Sequence, residues 1–186
     1  KRVLVLERND RLGKKLRITG KGRCNVTNCC AVEEVLQNVP RNGRFLYSAV
    51  TQYPPARVME FLEAEGCPLK TERGNRVFPV SDSSASVQEA LERAMYRAGV
   101  TVRQGRVTEI CTKEGQISGV TAGGQTYGAR QVILATGGCS YPATGSTGDG
   151  YRLAARLGHT VAPPTGSLVP LEVPGDDCPA MQGLSL

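Results

Sequence analysis

RVLVLE, Arg2–Glu7, is the stretch that decides the fold. It is apolar without alternation and stops at a carboxylate. Strands buried on both faces of a parallel sheet read this way, because helices cover both faces. An acid at the carboxyl end of an early strand is where dinucleotide folds hold a ribose diol. It also reads as a solvent-facing acid at a strand end, and both readings stand for Glu7. In dinucleotide folds a glycine fingerprint lies about 20 residues before that acid. Only six residues precede Glu7, so the fingerprint is expected upstream of Lys1. The chain therefore reads as a fragment of a longer protein.

Downstream of Glu7, Arg11–Arg17 (RLGKKLR) forms a basic connector into Ile18–Asn28, ITGKGRCNVTN. Gly20 and Gly22 let the backbone approach a ligand and turn N–H groups towards an anion. Arg23 adds a planar fork that suits phosphate. Such a loop suits a charged, planar cofactor, and it equally reads as an ordinary polar turn. It is not a Walker-type phosphate loop, because Gly20-Lys21 is followed by Gly22 and position 15 is lysine. It is not the G-x-G-x-x-G fingerprint either, because Asn25 stands where the third glycine belongs.

Short helices are expected over Val32–Asn38 and Arg44–Thr51, and a clear one over Pro55–Glu65, with proline at the start and Gly66 at the end. Arg76–Val80 reads as extended. Ser81–Ser84 offer caps for a helix running to Ala98, with Val87, Leu91, Ala94 and Met95 as its buried stripe. Val100–Arg103 reads as a strand. Arg106–Thr112, Gln116–Ala122 and Gln125–Gly128 then form a meander, turned at Glu114-Gly115 and Gly123-Gly124. Arg130–Thr136, with VILAT buried, is expected as a further parallel strand. The loop GGCSYPATGSTGDG (Gly137–Gly150) lies at its carboxyl end, where open α/β sheets bind ligands. A helix over Asp149–Leu157 and a last strand over Leu168–Val173 follow. The fold class is α/β, Rossmann-like, with a three-stranded meander as crossover. Residues 1–165 are expected to form a partial cofactor-binding domain, and 166–186 the start of an inserted substrate domain.

Composition narrows the function. No apolar run reaches the roughly 18 residues of a membrane span. The 23 Lys+Arg exceed the 17 Asp+Glu, giving +6. A basic first segment meeting pyrophosphate accounts for that excess as well as nucleic acid does. Aromatics are 5% and tryptophan is absent, so base-stacking surface is scarce and no nucleic-acid partner is expected. Seven cysteines, with no C-x-x-C pair, read as reduced cytoplasmic thiols and not as a disulfide framework or metal site. The single histidine, His159, reads as structural ahead of proton transfer.

Four stretches carry a family resemblance: LERNDRLGKKLRITGKGRCNVTN, RVFPVSDSSASV, VILATGGCSYPATGSTGDGY and LGHTVAPPTGSLVPL. In this order they resemble the bacterial NAD(P)/FAD-dependent oxidoreductases that include BaiN/RdsA-type flavoproteins and aminoacetone-oxidase-like enzymes. The meander replacing a helical crossover is likewise a feature of flavoproteins with two dinucleotide-binding domains. The resemblance implies FAD as cofactor, NAD(P)H or oxygen as redox partner, and a small-molecule substrate. It implies that Glu7 holds the adenosine ribose and that Lys14 and Lys15 form a basic pair near the cofactor. Gly22, Arg23, Cys24 and Asn25 would line the flavin side, and the backbone of Val107 would meet adenine. Ala135, Thr136 and Gly137 would lie beneath the pyrophosphate, with Tyr141 beside the isoalloxazine. Lys21 departs from the family, where glycine is common. Cys24 and Cys139 read as packed thiols ahead of redox partners of the flavin. No catalytic residue is assigned, because the substrate surface is expected in the inserted domain. The segment around Arg23 and the one around Thr136 are expected to converge beside Glu7.

Overall fold

A computed structural model describes residues 2–166 and 174–181. The chain opens with β1 (Leu4–Glu7), and a 3-10 segment follows over Leu16–Gly22. Next come β2 (Thr27–Asn28), α1 (Val32–Gln37), α2 (Gly43–Gln52) and α3 (Pro55–Ala64). β3 (Leu69–Glu72), β4 (Arg76–Pro79), α4 (Ser84–Arg97) and β5 (Thr101–Gln104) complete the first half. The second half contains β6 (Val107–Lys113), β7 (Gln116–Ala122), β8 (Gln125–Gly128), α5 (Asp149–Arg156) and α6 (Asp177–Ala180).

β1 and β5 pair in parallel, with Leu4 opposite Thr101 and Glu7 opposite Gln104. This is the relationship that the unbroken apolar run of β1 calls for. β2, β4 and β3 form an antiparallel sheet with β4 in the middle, and β6, β7 and β8 form the meander. Both meander turns have left-handed φ at two consecutive residues, Glu114-Gly115 and Gly123-Gly124. That twist matches the flanking strands. Ser83 caps α4 by accepting the Ala85 N–H at 3.3 Å.

Two cores hold these pieces. Cys24, Leu62, Cys67, Val87 and Ala90 are buried together where α3 and α4 meet the Arg23 segment. Ile110, Val120 and Leu153 form the other, and Leu6, Val107 and Leu157 pack against it. The second core fastens α5 and the meander to the Leu6 face of β1. Leu6 and Arg8 share that face by the alternation of a strand.

The structure differs from expectation at four places. β1 pairs in parallel but is not buried on both faces: Leu4 is 38% exposed, and Val3 just before it 49%. Arg130–Thr136 forms no strand: no described strand pairs with it, and Ile133 is 92% exposed. An apolar run becomes a strand only when a neighbour completes its ladder hydrogen bonds. β2 and β3 were not expected; both are short and mixed in polarity, and they form on β4, whose Val77 and Phe78 are buried. On α4 the fully buried position is Ala90, with Val87 beside it, while Ala94 and Met95 are half-buried. The expected strand Leu168–Val173 lies outside the described residues, as does much of the expected second domain, 166–186.

Candidate functional site

The carboxyl end of β1 meets the glycine-rich loop. The Glu7 carboxylate accepts the Asn9 N–H at 2.8 Å, and Asn9 Nδ2 donates to the Thr144 carbonyl at 3.1 Å. Gly145 (φ +96) permits this approach, because a Cβ there would stand 2.8 Å from Asn9 Nδ2. Lys15 reaches the same loop. Its Nζ donates to the Ser140 carbonyl at 2.9 Å, to Ser140 Oγ at 2.7 Å and to Ser146 Oγ at 3.3 Å. Ser146 is buried, and Gly137 (φ +73) lies against its hydroxyl. Thr136 Oγ1 packs on Gly150 so closely that a Cβ at Gly150 would collide with it.

Glu7, Lys15, Thr136 and Gly137 thus come together around one loop. Ala135, Thr136 and Gly137 are exposed there. Tyr141 is 68% exposed, and its carbonyl accepts the Thr144 N–H and hydroxyl. Lys14 turns back to Asp10 at 3.8 Å. Val107 opens β6 opposite Ala122 and packs with the second core.

The Arg23 segment belongs to another layer. Arg23 Nη1 donates to Glu72 Oε1 at 2.9 Å and Asp82 Oδ1 at 3.2 Å, and the guanidinium stacks on Phe78. Lys70 completes the cluster at 2.6 Å from Asp82. The Arg23 hydrogen bond holds the Glu72 carboxyl below its ordinary range, and the Lys70 bond does the same for Asp82. Cys24 is buried in the first core, and burial pushes its thiol pKa up, against a smaller opposing effect of Thr19. A raised thiol pKa disfavours the thiolate that redox chemistry needs. Gly22 ends the 3-10 segment with φ +86. The side-chain amide of Asn25 lies within hydrogen-bonding reach of the carbonyls of Thr27 and Val77. Gly22 to Asn25 therefore dock on the β4 sheet and the α3–α4 core, while the Glu7 and Thr136 segments meet each other.

Sequence reading missed four members of this region: Arg8, Arg106, Asp149 and Arg152. Asp149 accepts from Arg8 at 3.0 Å and Arg106 at 3.1 Å and also pairs with Arg152. The signal available was the lone acid inside the glycine-rich stretch, TGDG. No group of His, Cys, Asp and Glu among the described residues is arranged to hold a metal ion, and no described helix is long and apolar enough to cross a membrane.

A parallel pair ending in a carboxylate, under a glycine loop and beside a meander, is a recognisable combination. Residues 1–173 match the family described as the HI0933-like protein Rossmann domain. This chain belongs to the HI0933-like family. Its relatives include a 3-dehydro-bile acid delta(4,6)-reductase of Clostridium scindens, 36% identical over 174 residues, which covers 92% of this chain and 41% of the relative. Ribosomal RNA dihydrouridine synthase of Escherichia coli is 27% identical over 171 residues, 91% of this chain and 42% of that protein. The Haemophilus influenzae protein of the same name is 27% identical over 192 residues, covering all of this chain and 47% of the relative. The chain thus spans less than half the length of these relatives.

Proposed function

We propose that this chain is the FAD-binding part of an oxidoreductase that moves hydride between a small organic substrate and NAD(P)H or oxygen. The observation that carries this reading is Lys15. Its ammonium sits on neutral oxygens of the glycine loop and pairs with no carboxylate among the described residues. A cation placed this way, beside a backbone turned left-handed at Gly137, Gly145 and Gly148, suits a pyrophosphate. Glu7 suits ribose hydroxyls, which a carboxylate accepts. The donor set therefore fits a dinucleotide: cation and N–H groups for phosphate, carboxylate for sugar.

Bound FAD would supply the two-electron chemistry. The chain's own residues bind and orient. Lys15 neutralises phosphate charge, with Lys14 next to it; Ala135, Thr136 and Gly137 shape the turn beneath the pyrophosphate; Val107 offers its backbone to adenine; and Tyr141 covers a ring edge. Gly22, Arg23, Cys24 and Asn25 form the flavin side. Among the described residues the side-chain hydrogen bonds of Arg23 leave from Nη1, so its other nitrogens keep donors for that task.

The Clostridium scindens relative is named a reductase, which supports electron flow from NAD(P)H towards the substrate. Aromatic residues are scarce and tryptophan is absent, which supports a small-molecule partner over nucleic acid. Seven free thiols support a reducing, cytoplasmic setting.

Purified full-length protein tests the reading. It should carry a flavin band at about 450 nm that NADH or NADPH bleaches. A colourless protein that cannot be reconstituted with FAD contradicts it. The second reading is a non-catalytic FAD-binding module, favoured by a loop rich in glycine and hydroxyls with His159 lying beyond it, after α5. A yellow protein whose flavin no nicotinamide or donor reduces supports the module.

A further inference from the structure

We propose that Asp149 is a positioning residue: it gathers Arg8, Arg106 and Arg152 and so seats the Gly137–Gly148 loop over the carboxyl end of β1. The consequence for cofactor binding rests on the FAD reading above.

The four side chains come from separate pieces of the fold. Arg8 directly follows β1, Arg106 precedes β6, and Asp149 and Arg152 stand on the first turns of α5. Asp149 Oδ2 accepts Arg8 Nη1 at 3.0 Å and Arg106 Nε at 3.2 Å. Asp149 Oδ1 accepts Arg106 Nη2 at 3.1 Å and also meets Arg152 Nη2. The Arg106 contact is thus the two-point fork that fixes orientation as well as distance. The Asp149 side chain is only 11% exposed, so these contacts are poorly screened by water.

The same guanidiniums hold the loop. Arg8 Nη1 donates to Thr147 Oγ1 at 2.7 Å, and Arg152 Nη1 donates to the Thr147 carbonyl at 3.2 Å. Asn9 holds the Thr144 carbonyl three residues earlier. Consecutive residues after the acid Glu7 therefore grip the loop at two points, and Asp149 aims one of them. Asp149 also lies in the first turn of α5, where the helix dipole favours a negative charge. One carboxylate faces three guanidiniums, so the cluster keeps a positive surplus beside the proposed phosphate site. Without Asp149 the guanidiniums repel one another and the exposed pair, Arg106 and Arg152, turn to solvent. The loop then loses its aim.

The test uses the full-length protein with Asp149→Asn, Asp149→Glu and the milder surface variants Arg106→Gln and Arg152→Gln. FAD affinity is read by flavin fluorescence over a range of salt. Asp149→Asn should bind FAD roughly tenfold or more weakly, since removing one partner of a poorly solvated cluster leaves the others uncompensated. Its binding should also fall more steeply with salt, because the loss of the Asp149 charge leaves a larger uncompensated, solvent-screened positive charge, that of Arg8 above all, beside the phosphates. Asp149→Glu should restore most of the affinity, and the two arginine variants should show smaller losses. Unchanged affinity and salt slope in Asp149→Asn would overturn the inference. So would a loss with no change of slope and no rescue by Asp149→Glu. If the wild-type protein takes up no FAD, the FAD reading fails, and amide exchange still decides the seating. Faster exchange over 137–148 in Asp149→Asn supports it, and unchanged exchange refutes it.

Discussion

The Arg23 guanidinium lies over the Phe78 ring, 4.0 Å from its centroid. The stack sets a cation on the antiparallel sheet and leaves its edge to the carboxylates of Glu72 and Asp82. Both carboxyls titrate below their ordinary values of 4.5 and 3.8, first because of the Arg23 and Lys70 hydrogen bonds respectively. A group whose pKa is lowered by folding contributes stability above its ordinary value and loses it as pH falls through the folded one. Melting temperature should therefore drop as the protein is acidified below about pH 4.5. A Glu72→Gln/Asp82→Asn variant, with less to lose, should show a flatter profile by calorimetry.

Lys15 reaches the glycine loop at Ser140 and Ser146 and pairs with no carboxylate among the described residues. Charge-assisted hydrogen bonds contribute about 1.5–3 kcal/mol, so Lys15→Met should weaken FAD binding by the full-length protein roughly ten- to a hundredfold. Lys15→Arg should keep most of the affinity because it keeps the charge. Equal affinity in Lys15→Met, measured by equilibrium titration, would remove Lys15 from the site.

Thr136 and Gly150 form a tight pair. Gly150→Ala drives a Cβ into Thr136 Oγ1. Overpacking of this kind costs about 1–3 kcal/mol. Thr136→Ala removes the colliding oxygen, so the double variant should recover much of that loss in a denaturant melt. Simple additivity in this cycle would mean the two residues are not in contact.

Thiol reactivity should follow burial. Cys29, Cys139 and Cys178 are exposed and should alkylate quickly in the native protein. Cys24 and Cys67 are buried, and burial pushes both thiols up, so they should label only on unfolding. Mass spectrometry of a timed alkylation reads the order.

Much of this fold was legible because local chemistry and tertiary context agree. RVLVLE reads as a parallel strand and pairs as one with β5. The paired turns of the meander announce themselves through glycine. Ile133 shows where legibility stopped: apolar sequence called for burial, yet no described strand supplies the ladder. The site was legible in part. The glycines of the loop stand out in the sequence, and the structure brings Lys15 to that loop, whereas the partners of Arg23 lie 49 and 59 residues away, beyond the reach of any local pattern. Asp149 stayed hidden for the same reason, since its arginine partners include Arg8, 141 residues distant in sequence.

The central claim is that the Glu7–Lys15 segment and the Ala135–Gly150 segment form two walls of one FAD cleft. Amide exchange of the full-length protein, with and without FAD, measures this most directly. The account predicts slower exchange in both segments on FAD binding. Protection confined to other segments, with both of these unchanged, would contradict it.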